Sequence, residues 1–176
     1  MPQMKKAFLI DASSAILLFK TNWMASLLDH YRVGIGPTVY RELTVPDHPG
    51  AEAFVRWRQE ERLIMHNRNG TAAAADPPTA LKRLDAGERE CIHLYGEGAG
   101  GFVMLDDGPA AAFCRRRAIP YVNALLVPRL LAPRPVHDRT ELKNAIMAVY
   151  AEGRYASWVL EYALTCPDED LAFFLP

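Results

Sequence analysis

The sequence has few cysteines and little net charge, and both shortages exclude common classes of protein. Its three cysteines, Cys91, Cys114 and Cys166, are odd in number and far apart, and no two have the spacing of zinc ligands. We therefore expect reduced thiols in a cytoplasmic protein, and neither a disulfide framework nor a zinc module. The formal net charge is −1, so any contact with nucleic acid has to come from a local basic patch.

Long apolar runs are also missing. None is long enough to span a bilayer, so we expect no membrane association. The apolar stretch after Lys6 is interrupted by Asp11 too early for a secretory signal, and we expect none. A chain of 176 residues predicts one domain with a core of its own. The proline-rich stretch near residue 133 predicts a division into a domain of residues 1–132 and a helical extension of residues 133–176 packed on it.

Short apolar runs alternate with segments of helical periodicity. The runs predict strands at residues 4–10, 32–36, 63–66, 102–105 and 119–122. Uninterrupted apolar strands are typical of a parallel sheet that is covered on both faces. The alternation therefore predicts an α/β fold, a three-layer α/β/α sandwich with a central parallel sheet, followed by C-terminal helices. The segment Asn67 to Pro78, with its glycine, alanine run and double proline, is predicted to be a mobile surface loop.

Several acids occur where strands end or near the starts of helices. In a parallel sheet these positions face one rim, where ligands bind. The candidates are Asp11, Glu42, Glu88, Glu90, Asp106 and Asp107. Carboxylates on one rim repel each other unless a cation binds between them. A set of oxygen ligands that includes no paired histidines or thiols favours Mg²⁺ or Mn²⁺ over zinc. Taken singly, each acid is explained as well by a helix cap or an exposed position.

The order of four motifs resembles the PIN domain family of metal-dependent ribonucleases. The motifs are LIDASSAILLFK, IGPTVYRELT, LDAGERECIHLY and FVMLDDGPAAAFCRRRAIPYV. They are most similar to a VapC-like subgroup with a Gly-Glu-x-Glu third motif and an Asp-Asp fourth motif, and the resemblance covers about residues 6 to 132. It implies an α/β/α sandwich, an acidic Mg²⁺ or Mn²⁺ site and hydrolysis of single-stranded RNA. Many bacterial proteins of this kind are toxins that a small antitoxin holds inactive.

The resemblance assigns roles to individual residues. Asp11, Glu42 and Glu88 match the first three acids, and the fourth is Asp106 or Asp107. Further matches are a hydroxyl at Ser13 or Ser14, an auxiliary acid at Glu90 and a basic residue at Lys20. The chain departs from the subgroup after Asp107, where Gly108-Pro109 replaces basic residues, and after the last strand, where Asn123-Ala124-Leu125 replaces a glycine-rich turn.

The remaining notable side chains are basic or aromatic. Arg115, Arg116 and Arg117 form the densest basic run, which suits RNA phosphates as well as it suits a solvated helix C-terminus. The tryptophans are predicted to be core residues and not base-stacking platforms. The apolar tail Phe173-Phe174-Leu175 is expected to pack on its own domain or on a second copy in a homodimer.

Three functions are compatible with these patterns. The first is a Mg²⁺- or Mn²⁺-dependent ribonuclease, with RNA and, if the chain is a toxin, a small antitoxin as partners. The second is a non-catalytic PIN-like domain that binds nucleic acid or protein. The third is a phosphohydrolase with an acidic pocket, which would need a lysine late in the sheet. No lysine lies between Lys82 and Lys143, so we rank this function last.

Overall fold

A five-stranded parallel sheet forms the centre of the molecule. The structure, a computed structural model, describes residues 4–67, 81–133 and 138–176. The strands lie in the order β3-β2-β1-β4-β5. They are β1 (Ala7–Ile10), β2 (Arg32–Ile35), β3 (Leu63–Met65), β4 (Val103–Met104) and β5 (Tyr121–Val122). All neighbouring pairs are parallel, as the alternating sequence pattern predicts.

Helices connect the strands and continue beyond the last of them. In the described residues they are α1 (Ala12–Lys20), α2 (Met24–His30), α3 (Pro37–Leu43), α4 (Ala51–Gln59), α5 (Ala86–Gly96), α6 (Gly108–Arg116), α7 (Val127–Leu131), α8 (Arg139–Glu152), α9 (Ser157–Thr165) and α10 (Asp168–Leu171). Two short 3-10 helices lie at Leu81–Arg83 and Ala124–Leu126. Helix α3 begins with Pro37, whose fixed φ suits a first helical turn.

The sheet is covered on both faces. In β1 the consecutive residues Phe8, Leu9 and Ile10 are all fully buried, although their side chains alternate between the two faces. The ring of Phe8 stacks on that of Phe102, with centroids 4.8 Å apart, at one end of the core. This burial, together with the parallel sheet and its helices, confirms the predicted α/β fold.

The C-terminal region packs against the sheet domain. The hydroxyl of Tyr31 donates a hydrogen bond of 2.6 Å to the carbonyl of Phe174, and the ring of Phe174 lies 5.1 Å from that of Phe102. Arg129 forms an ion pair of 2.7 Å with Asp168. The apolar tail therefore packs on its own domain, which is one of the two arrangements expected. The division at residue 133 stays a prediction and adjoins residues outside the described part.

Some local predictions need correction. The first strand starts at Ala7, and Met4, which was predicted to belong to it, is 90% exposed. Trp57 is buried as predicted. Trp158, however, is 68% exposed, because it lies in α9, where Ala163 is the one fully buried residue. Helical periodicity defines a face but does not say which element covers it.

Three further predictions concern the cysteines, membrane-spanning helices and the loop after β3. The three cysteines are buried, free thiols, which confirms that they are unpaired. Within the described ranges, no helix is both long and apolar enough to cross a membrane. The loop predicted from Asn67 to Pro78 lies outside the described residues, apart from Asn67 itself.

The strand order reverses direction beside β1. Strands β2 and β3 extend the sheet on one side of β1, while β4 and β5 extend it on the other. In open α/β sheets, such a reversal leaves a crevice at the carboxyl ends of the two strands that flank it, and ligands bind there. The topology therefore points to the ends of β1 and β4.

Candidate active site

Asp11 and Asp106 lie at this reversal point. Asp11 directly follows β1, and Asp106 comes two residues after β4. The two strands pair with Ile10 opposite Met104, so their ends lie side by side. Asp11 is only 2% exposed. Repulsion from Asp106 is one of the causes that raise the pKa of Asp11, so the two carboxyl groups are near enough to interact electrostatically.

The carboxyl group of Asp11 is fixed in place by the start of α1. Its Oδ1 accepts a hydrogen bond of 3.0 Å from the backbone N–H of Ser14, and its Oδ2 accepts one of 2.6 Å from the hydroxyl of Ser13. Burial, followed by repulsion from Asp106, raises its pKa from 3.8 to about 7, against the opposing effect of the two serines. Asp11 is thus a helix cap and a buried acid at once, and its predicted role as a metal-holding acid stays a prediction.

The carboxyl group of Asp106 is fixed in place by residues that follow it in the chain. Its Oδ1 accepts hydrogen bonds from the backbone N–H of Ala124 at 2.9 Å and from the hydroxyl of Tyr155 at 2.6 Å. Burial raises its pKa, and the hydroxyl of Tyr155, the nearby hydroxyl of Ser14 and the backbone N–H of Ala124 partly offset that rise. Its Oδ2 is buried and has no hydrogen-bond partner among the described residues. A buried carboxylate oxygen without a partner is costly, and a cation would compensate it.

Asp107 has a different environment. It is exposed and caps α6, where its Oδ2 accepts a hydrogen bond of 3.2 Å from the backbone N–H of Ala110. The sequence left the fourth acid open between Asp106 and Asp107. Because Asp106 is the one that interacts with Asp11 and carries the unpaired buried oxygen, we favour Asp106 as the metal-facing acid.

Glu88 lies near Asp11, and Glu42 lies near the start of α5. Glu88 forms a capping box with Asp85: its Oε2 accepts from the backbone N–H of Asp85 at 3.0 Å, and its own N–H donates to Asp85 at 2.8 Å. Burial raises the pKa of Glu88 to about 7, with further contributions from the charges of Asp85, Asp107 and Asp11. Glu42 is partly exposed, and burial followed by repulsion from Asp85 and Glu90 raises its pKa.

Glu90 has a structural role that the sequence analysis missed. Its two carboxylate oxygens each accept a hydrogen bond of 3.0 Å, one from the backbone N–H of Thr38 and one from that of Val39. These are groups of the first turn of α3, which has no cap from its own N-cap residue, Gly36. A glycine before Pro37 was the available signal that another residue must supply this cap.

Gly36 is required by this arrangement. A Cβ at position 36 would lie 2.2 Å from the Cδ of Glu90. We expect Gly36→Ala to displace Glu90 and to destabilise the protein by about 2 kcal/mol or more, because the buried N–H of Val39 and the part-buried N–H of Thr38 lose their acceptors. The matched control is Gly96→Ala at the end of α5, where a Cβ meets nothing within 4 Å. Urea denaturation of both variants tests this, and equal stabilities would contradict it.

The acids lie along one rim of the sheet, but they are not arranged as a complete set of metal ligands. Among the residues that the structure describes, no three His, Cys, Asp or Glu side chains gather in the arrangement of a metal site. We expect Asp11, Glu42, Glu88 and one of Asp106 and Asp107 to lie within reach of one or two hydrated cations, and this stays a prediction. Asp11, Glu88, Glu90 and Asp107 direct oxygens at backbone N–H groups of helix starts. The donor chemistry nevertheless fits Mg²⁺, which is commonly held by one or two carboxylates and retained waters.

The predicted basic residues lie in different environments. Lys20 forms an ion pair of 3.2 Å with Glu152 of α8, and Arg117 lies over the ring of Phe113. Arg116 is exposed at the end of α6. Arg115 lines a cavity of about 450 Å³ that has Asp106 in its wall. Of the three arginines, Arg115 is therefore the one that lines the same cavity as Asp106.

Sequence reasoning assigned no role to two other residues near Asp106. Tyr155 reaches it from the loop between α8 and α9, and Asn123 precedes the short helix at Ala124–Leu126. The Oδ1 of Asn123 is buried and has no hydrogen-bond partner in the described part of the chain. Tyr155 could not be found from local patterns, because it contacts an acid 49 positions away.

Comparison with known proteins identifies the family. The model of one family, DUF3368, described as a PIN domain, matches residues 7–158. No curated protein and no solved structure matches the chain. The matched residues include every acid described above and also Tyr155. The chain belongs to the PIN domain family.

Proposed function

We propose that this chain is a Mg²⁺- or Mn²⁺-dependent endoribonuclease that hydrolyses single-stranded RNA. PIN domains are generally nucleases and typically use divalent metal ions, which supports the general class of the reaction. The observation that carries the proposal is the pair formed by Asp11 and Asp106. Both acids are at the reversal point of the sheet, they repel each other, and one oxygen of Asp106 lacks a partner among the residues that the structure describes.

Asp11 and Asp106 would hold the cation, with Glu88 and Glu42 beside them. When bound, Mg²⁺ or Mn²⁺ neutralises charge on a scissile phosphate and makes a water molecule more acidic. The protein contributes by positioning. Ser13 and Ser14 fix the carboxyl group of Asp11, while Ala124 and Tyr155 fix that of Asp106. Pre-arranged groups of this kind need little reorganisation during the reaction.

Glu88 is able to exchange a proton near neutral pH. Burial raises its pKa to about 7, which is the range in which a side chain gives up and takes up protons most effectively at neutral pH. Its hydrogen bond from the N–H of Asp85 holds one oxygen, Oε2, in place. We therefore assign Glu88 a role in proton transfer or in holding water beside the acidic pair.

The test is cleavage of labelled single-stranded RNA with added Mg²⁺ or Mn²⁺, compared with excess EDTA. We expect cleavage with either cation and none with EDTA, and weaker cleavage of double-stranded RNA and of single-stranded DNA. RNA binding without cleavage under every cation condition would favour the non-catalytic alternative. Cleavage that persists in EDTA would contradict the metal-dependent reaction.

The order of the motifs also supports a role as the toxin of a toxin-antitoxin pair. The stretch LDAGERECIHLY and the pair Asp106-Asp107 are similar to motifs of the VapC-like subgroup. The partner would then be a small antitoxin protein. A small open reading frame beside the gene, encoding an amphipathic C-terminal segment, would support this role, and its absence would count against it.

A further inference from the structure

The side chain of Tyr155 limits how Asp106 can bind anything else. Oδ1 of Asp106 accepts two hydrogen bonds, one of 2.6 Å from the hydroxyl of Tyr155 and one of 2.9 Å from the backbone N–H of Ala124. A carboxylate oxygen has two lone pairs, so these two donors fill the acceptor capacity of Oδ1. Oδ2 accepts no hydrogen bond from the described residues. Asp106 therefore has one oxygen left for a further ligand.

Close packing sets the position of Tyr155. The residue follows the end of α8, where Gly153 is the C-cap, and its side chain is partly buried. Its ring lies nearly parallel to that of Tyr150, with the centroids 6.4 Å apart. A Cβ at position 153 would collide with the ring of Tyr155, so that ring lies directly against the backbone of Gly153. The hydroxyl group is thus held at Asp106 by contacts of the whole ring.

Asp11 is less restricted than Asp106. Each of its oxygens accepts one hydrogen bond, Oδ1 from the N–H of Ser14 and Oδ2 from the hydroxyl of Ser13, so each keeps a free lone pair. Of the two acids, Asp106 is therefore the one with a single available oxygen. Tyr155 supplies the part of this restriction that comes from a side chain, which a substitution can remove without changing the backbone.

The number of available carboxylate oxygens affects the choice of divalent cation. Ca²⁺ takes about six to eight oxygen ligands and binds carboxylates through one or both oxygens, whereas Mg²⁺ demands octahedral geometry and retains several waters. Mn²⁺ shares the octahedral preference. An acid that offers a single oxygen therefore suits Mg²⁺ or Mn²⁺ better than it suits Ca²⁺.

We propose that Tyr155 determines the choice of cation at the acidic pair: by occupying Oδ1 of Asp106, it favours Mg²⁺ and Mn²⁺ over Ca²⁺. It acts through Asp106 and is therefore a positioning residue. The proposal rests on the proposed function for the presence of a cation at Asp106. The C-terminal region then shapes the site itself, in addition to packing on the sheet domain.

The test measures the binding of Mn²⁺ alone and of Ca²⁺ alone to the full chain by isothermal titration calorimetry. We expect the parent to bind Mn²⁺ more tightly. Tyr155→Phe should weaken the binding of Mn²⁺ about tenfold, because the carboxyl group of Asp106 loses a donor that fixes it. The binding of Ca²⁺ should be unchanged or tighter, because a lone pair of Oδ1 becomes available. The ratio of the two affinities therefore falls, whereas a general loosening of the fold would weaken both cations alike.

Two further variants locate the effect. Asp106→Asn should abolish the measured binding of Mn²⁺, which would place that binding at the acidic pair. The matched control is Tyr162→Phe, which removes another tyrosine hydroxyl that donates to an aspartate, Asp170, at 3.1 Å. It should leave both affinities at the parental values.

Several outcomes would overturn the proposal. They are an unchanged ratio in Tyr155→Phe, an equal shift in Tyr162→Phe, binding of Mn²⁺ that survives Asp106→Asn, and a parent that prefers Ca²⁺ or binds neither cation. If the parent cleaves RNA and Tyr155→Phe keeps the parental ratio, the nuclease stands and only this proposal fails. A lowered ratio in a protein that cleaves no RNA would support this proposal and contradict the nuclease instead.

Discussion

The Asp11→Asn variant should cleave single-stranded RNA roughly 100-fold more slowly than the parent, or worse, while remaining folded. The substitution removes one of the two charges that face each other at the ends of β1 and β4. Folding should survive because asparagine caps helices about as well as aspartate, and Asp11 caps α1. The measurement is the cleavage rate with saturating Mn²⁺, together with the melting temperature with and without Mn²⁺.

The cation should also stabilise the variant less than it stabilises the parent. A cation that binds only the folded state raises the melting temperature, and the rise grows with the free energy of binding. A variant that lacks one of the side chains holding the cation should therefore show a smaller rise. The control is Asp138→Asn, which replaces another capping aspartate, bonded to the N–H of Glu141. It should keep both cleavage and the response to Mn²⁺. If Asp11→Asn cleaves at the parental rate, Asp11 is a helix cap only.

The parts of this fold that the sequence predicted are those with local signals. Asp11 could be predicted as a site residue because a buried strand leads directly into an acid that is followed closely by two serines. This order predicts a strand, a helix cap and a helix. The same holds for Glu88, which lies three residues after Asp85 in the pattern of a capping box. The family resemblance added the order of the acids, and it placed them on the rim that the parallel sheet provides.

The parts that the sequence did not predict depend on contacts between distant residues. Glu90 looked like an auxiliary acid, but it caps α3 across 52 positions of sequence. Tyr155 lies in a region predicted to be an appendage and yet bonds to Asp106. Trp158 was assigned to the core because a tryptophan in a helix usually packs, whereas α9 turns that residue outward. Such assignments need the tertiary arrangement, which periodicity alone does not contain.

The cation-free protein should lose stability as the pH rises from 5.5 to 8. The folded state raises the pKa of Asp11 from 3.8 to about 7, so the folded protein binds a proton more tightly than the unfolded chain does. The contribution of Asp11 is therefore fully present below its unfolded pKa and is lost as the pH rises through about 7. Between pH 5.5 and 8 this amounts to about 2 kcal/mol. The raised pKa of Glu88 acts in the same direction.

Melting in EDTA at the two pH values measures this effect. For a chain of this size, we expect the melting temperature to be roughly 4 to 8 °C lower at pH 8 because of Asp11. His66 acts in the opposite direction, because burial and Arg32 lower its pKa and its protonation favours unfolding. The difference between the parent and Asp11→Asn cancels that contribution, since His66 is present in both. Asp11→Asn should therefore lose less stability with rising pH, whereas Asp138→Asn should follow the parent. Identical pH profiles for the parent and Asp11→Asn would show that Asp11 is already ionised at pH 5.5, and that burial and Asp106 do not raise its pKa.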